Sequence, residues 1–219
     1  MEQFEVVISG FDPYDGVEIN PSREVPMMLQ RTGIPDTPAG TSVRVTSVML
    51  PMSFAKAWPT LYDVINTVHP QIIIATGLKR RNRGIALERC ATNIIDADKP
   101  DADNVQPRRV PITPSSPAAY WTGLPLRDIL DTFAAQNIPA TLSSDAGTYV
   151  CNSLFYRLLD WTAAQSRVVS GFLSFPMVNE KRDNALGIPL GQMVQAAQDV
   201  VCASIEYCRR PPSGEMHMV

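Results

Sequence analysis

The 219-residue chain is predicted to form an α/β fold: a mostly parallel, twisted sheet sandwiched by helices (α/β/α). Three observations predict it. Short β-branched apolar runs recur along the chain (FEVVIS at 4–9, QIIIAT at 71–76, a further run at 168–174), as expected of strands buried on both faces. Amphipathic stretches of helical length separate most of them. That alternation implies βαβ units and a mostly parallel sheet with helices on both faces.

The elements follow in order. Residues 4–9 form the first strand, ending at Gly10, and Asp12-Pro13 and Asp15-Gly16 signal a loop. Residues 22–31 read as a helix and 43–50 as a second strand. Residues 53–68 fit an amphipathic helix with Ser53 as N-cap and Pro59 as an interior blemish. Residues 71–76 are a third strand. Residues 84–96 have a strand-like period, and the polar, proline-rich stretch 96–117 is expected to be a long ordered loop. A helix over 126–136, a strand over 139–144, a helix within 147–161, a strand over 168–174 and a long helix over 190–208 complete the series. Residues 1–208 are read as one domain and 209–219 as a flexible tail.

Composition narrows the function classes. The chain is 45% hydrophobic and 19% charged, ordinary for a globular protein. A net charge of −3 argues against nucleic-acid binding, which draws on a basic excess. No apolar run is long enough to span a membrane, and the start MEQFEVVISG lacks the basic segment of a secretory leader. The expectation is a cytoplasmic protein with reduced thiols. Four cysteines, no CxxC and two histidines give no sign of a zinc site, and no metal or cofactor is expected.

In open sheets of this kind ligands bind beyond the carboxyl ends of the strands, which directs attention to the loops after Ser9, Thr76, Ser144 and Leu173. Cys151 lies in the first turn of a helix that follows a Gly-Thr turn. Unpaired N–H groups and the positive end of the helix dipole favour a thiolate there. The same N–H groups could hold an oxyanion in acyl transfer. The residue type alone favours a buried, inert cysteine.

Four segments carry a resemblance. GFDPYDGVEINPSRE (10–24), GLKRRNRGIALERCATNIIDADKPD (77–101), GTYVCN (147–152) and GFLSFP (171–176) resemble, in order and spacing, the motifs of the pyroglutamyl peptidase I family (pyrrolidone carboxyl peptidases). The resemblance implies a cysteine hydrolase that removes N-terminal pyroglutamate from small peptides, needs no cofactor, and forms homo-oligomers. It places Cys151 as nucleophile and Glu88 as the acidic partner. It sets Ser174 where the family has a histidine, and serine is no base at neutral pH. The opening motif puts Phe11 and Tyr14 against the pyroglutamyl ring, with Asn20 fixing the loop and Leu78 beside them.

Neither histidine is a convincing replacement: His69 sits at the amino end of the third strand and His217 in the tail. Without an imidazole, a carboxylate beside Cys151 would raise the thiol pKa by repulsion. Asp98 replaces an arginine of the family pattern, and residues 79–83 (KRRNR) replace a small-residue loop. That basic cluster is expected to be solvated, or else to prefer an acidic ligand. A catalytically silent binding protein and a thiol hydrolase of different specificity are the alternatives.

Overall fold

The computed structural model describes residues 1–12, 16–17, 19–181 and 186–210. Eight strands and five helices are assigned: β1 (Glu2–Phe11), α1 (Pro21–Thr32), β2 (Thr41–Leu50), α2 (Ala57–Val68), β3 (Ile72–Leu78), β4 (Ile85–Glu88), β5 (Cys90–Thr92), β6 (Ala119–Trp121), α3 (Leu126–Ala135), β7 (Ala140–Ser143), α4 (Val150–Ala163), β8 (Val169–Phe175) and α5 (Leu190–Arg209). Six strands form one sheet in the order β2-β1-β3-β8-β4-β7, and β5 and β6 form a separate small ladder.

The sheet is mostly parallel but mixed. β2, β1, β3 and β8 run together. β4 and β7 are parallel to each other, and β4 is antiparallel to β8. The carboxyl end of β7 therefore points to the opposite edge from those of β1, β3 and β8. The loop after Ser144 does not leave from the shared edge that the carboxyl-end rule expects.

The side-chain period of two divides the core between the faces. Ile72, Ile74, Leu173 and Phe175 pack with α1, α3 and α5 on one face. Ile73, Ala75 and Phe172 pack with α2 and α4 on the other. The stretch 96–117 is ordered: Ile95 and Val110 form a bridge, and the buried Asp101 carboxylate accepts from the N–H groups of Phe54, Asp103 and Val105, all at 2.9 Å. The helix expected over 53–68 begins at Ala57. Ser53 caps a separate preceding turn, its Oγ accepting from Lys56 N at 3.1 Å.

The opening motif is explained by packing at α1. Asn20 is its N-cap, accepting from Ser22 N at 3.1 Å, and its amide donates to Phe11 O at 2.9 Å. Thr76 Oγ1 donates to Ser9 O and Ser22 O at 2.9 and 3.1 Å. A Cβ at position 10 would lie 1.6 Å from Ser22 O, so only glycine lets the start of α1 sit on β1.

Candidate active site

The site forms on the sheet face covered by α4. Cys151 is in the first turn of α4, whose N-cap, Tyr149, makes no side-chain cap bond and turns its hydroxyl to Pro100 O at 2.9 Å. A Cβ on Gly77 would come within 3.3 Å of Cys151 Sγ, so the thiol lies directly over β3. Gly77 pairs with Ser174 in register, Ser174 with Ala86, and Phe172 with Glu88. Paired residues share a face, so Gly77, Ser174, Phe172 and Glu88 all lie on the side of Cys151. Cys151, Glu88 and Ser174 are thus brought to one place from three elements.

Glu88 is fully buried. Its Oε1 accepts from Ser174 Oγ at 2.6 Å and from Lys79 Nζ at 2.7 Å. Its Oε2 has no hydrogen-bond partner among the described residues. Lys79 Nζ also donates to Ser143 Oγ at 3.2 Å and to the Asp145 carbonyl. The basic cluster is therefore divided: Arg80, Arg81 and Arg83 are exposed, whereas Lys79 turns inward onto Glu88. The expectation of a wholly solvated cluster is corrected at that residue. A buried carboxylate requires a cation and hydrogen-bond donors to offset its desolvation, and Lys79 supplies the cation here.

Burial pushes the Cys151 thiol up to about 12, with repulsion from Glu88 adding to it; Lys79 and the backbone N–H of Cys151 oppose the rise. The resting group is a thiol, as expected of a cysteine facing a carboxylate without an intervening imidazole.

The other expected residues are placed as follows. Phe11 is 1% exposed, at the carboxyl end of β1 within the apolar cluster of this face. Leu78 is half-buried at the end of β3. Tyr14 and His217 lie outside the described residues. His69 is exposed and forms the left-handed C-cap of α2, φ 52°. Asp98 is fully exposed, while Asp96 pairs with Arg108 at 3.0 Å. Thr148 ties the cysteine turn to this loop, its Oγ1 donating to Asp96 O at 2.9 Å and its carbonyl accepting from Asp96 N at 3.0 Å.

Two residues were not singled out in the sequence. In the sequence Lys79 stands out only as part of a charge run. Asn152, adjacent to the cysteine, is buried; its Oδ1 accepts from Thr92 N at 3.1 Å, and its amide donates to Thr92 O and Ile94 O at 2.8 and 3.1 Å. It fixes the first turn of α4 to the end of β5 and the residues just after it, and its position within GTYVCN is the available signal.

The family model for pyroglutamyl peptidase matches residues 4–209. The chain belongs to that family. Among curated members it is 37% identical over 177 residues to a pyrrolidone-carboxylate peptidase of Bacillus cytotoxicus, covering 80% of each chain. It is also 37% identical over 176 residues to one of Pseudomonas fluorescens, again covering 80% of each. Among solved structures, pyroglutamyl peptidase I of Bacillus amyloliquefaciens superposes with a TM-score of 0.82 at 33% identity, over 92% of this chain and 97% of that one. The pyrrolidone carboxyl peptidase of Thermococcus litoralis gives 0.84 at 31% identity, over 94% and 96%. Membership in the pyroglutamyl peptidase family thus extends over β1 to α5, including the segments that carry Glu88, Cys151 and Ser174. Among the described residues no helix is long and apolar enough to cross a membrane.

Proposed function

We propose that this chain is a cysteine omega-peptidase that removes N-terminal pyroglutamate from small peptides. The observation that carries the reading is the meeting of Cys151, Glu88 and Ser174 on one sheet face, in a chain related to pyroglutamyl peptidases over most of its length. Cys151 Sγ attacks the pyroglutamyl carbonyl carbon, and the N–H groups of the first turn of α4 receive the oxyanion. The thiol proton passes to Glu88 Oε2, directly or through a water on Ser174. Collapse of the adduct breaks the C–N bond, and the departing amine takes that proton. Water then attacks the thioester, gives its proton to Glu88, and releases pyroglutamate and the thiol. Phe11 and Leu78 line the ring pocket, and Asn20 holds the backbone at Phe11 through its side-chain amide. No metal or cofactor enters the scheme.

The same reading makes the protein a cytoplasmic homo-oligomer. Exposed Val105, Val110 and Trp121 supply apolar surface for contact between copies.

Hydrolysis of a fluorogenic pyroglutamyl amide by the protein and its Cys151→Ala variant tests the function. The expected result is turnover that disappears in the variant. Equal rates would overturn the reading and leave a lactam- or peptide-end-binding protein in its place.

A further inference from the structure

We propose that Lys79 is a positioning residue of the active site: its clamped ammonium sets the positive charge that Cys151 needs when it ionises, at a site where the motif resemblance sets serine in place of histidine. This rests on the reading of Cys151 as the nucleophile.

An ammonium has three N–H donors. Those of Lys79 go to Glu88 Oε1 on β4, Ser143 Oγ on β7 and the Asp145 carbonyl in the loop leading to α4. Most surface lysines keep a mobile, hydrated head group; this one is fixed by three segments of the chain. An ion pair alone would be ordinary support for a buried carboxylate. Here the carboxylate shares a sheet face with the thiol, and Ser174 Oγ occupies the same oxygen, Oε1, at 2.6 Å. A bare carboxylate would oppose thiolate formation. The Lys79–Glu88 pair keeps an unpartnered carboxylate oxygen, Oε2, on the sheet face of the thiol while offsetting its repulsion.

Three other charged groups on neighbouring segments are engaged elsewhere. Asp145 Oδ1 accepts from Gly147 N at 2.9 Å, Arg89 donates to Ser144 Oγ at 2.8 Å, and Asp96 pairs with Arg108. Glu88 and Lys79 are the charged side chains that act on the Cys151 thiol, in opposite directions. Lys79 bonds Glu88 and exchanges no proton in the scheme above.

The experiment is the pH profile of Cys151 alkylation by iodoacetamide, followed by peptide mass spectrometry so that the other cysteines are separated. It needs no pyroglutamyl turnover. Lys79→Met is expected to raise the apparent thiol pKa and to slow alkylation about tenfold for each unit of rise, at any pH below the transition. Lys79→Arg is expected to keep the wild-type profile. Should Lys79→Met fail to fold because Glu88 is left buried without its cation, Glu88→Gln and Lys79→Met/Glu88→Gln give the same comparison without that charge. The double variant is expected to alkylate more slowly than Glu88→Gln. Identical profiles within either pair would overturn the proposal. A wild-type protein that follows the alkylation pattern but hydrolyses no pyroglutamyl amide would refute the substrate reading and leave the role of Lys79 intact.

Discussion

Replacing Cys151 with alanine should make the fold more tolerant of alkaline pH. Burial and Glu88 raise the Cys151 pKa from its ordinary 9.0 to about 12 in the folded chain. Between those values the unfolded chain has lost the thiol proton while the folded chain retains it. The unfolded state then binds fewer protons, so stability falls as pH rises through this window. Below pH 9 the contribution is constant. At pH 10 a single group with these two pKa values costs roughly 1–2 kcal/mol, and by pH 12 about 4 kcal/mol. Cys151 is half-buried as a residue, so these figures are upper bounds. Burial also raises Cys202 and Cys208, but both chains carry them and their effects cancel in the comparison. Urea unfolding at pH 7.5 and pH 10 would supply the measurement. The wild type should lose up to roughly 1–2 kcal/mol more than Cys151→Ala between the two pH values. Equal losses would mean that the thiol is neither desolvated nor repelled by Glu88, and the electrostatic account of the site would fail.

Two other substitutions probe different parts of the site. Ser174→His puts an imidazole next to Glu88 Oε1 and over Gly77, and should raise hydrolysis of a pyroglutamyl amide by about 10²–10⁴, the usual contribution of a general base; a folded variant with no gain would show that a base is not what limits turnover. Asn152→Ala breaks three hydrogen bonds to Thr92 and Ile94 and should cost about 2–4 kcal/mol in chemical denaturation, at about 0.5–1.5 kcal/mol for each bond lost; a loss below about 0.5 kcal/mol, the low end for a single hydrogen bond, would show that the clamp is not structural.

Much of the fold was legible because β1, β3 and β8 are buried on both faces and so carry continuous β-branched runs. β8 stops before Pro176 as expected, whereas β1 and β3 each run one residue past the glycine expected to end them, to Phe11 and Leu78. The reversal of β4 is a different matter. No helix separates β3 from β4, and six residues join them, too few for a parallel crossover. The alternation that predicted the parallel strands is absent there, and chain length was the better guide. β6 escaped notice because its three residues are intermediate or exposed and show no apolar period. Cys151, Glu88 and Ser174 were found through their motifs, which are local. The inward turn of Lys79 was not legible: a lysine within KRRNR reads as solvated until the fold sets a buried carboxylate within reach of it.

The antiparallel ladder between β4 and β8 has a consequence for how the protein tolerates insertions and deletions. An extra residue in the turn from 79 to 84 can bulge outward and leave the pairing of Ala86 with Ser174 untouched. An extra residue within β4 shifts every later side chain to the opposite face, sending Glu88 into the layer of α3 and α5 and a neighbouring apolar residue toward the thiol. Length variation among descendants of this chain should therefore collect in the turn and stop at Ile85, so that the reading frame of a four-residue strand is guarded by the chemistry at its end.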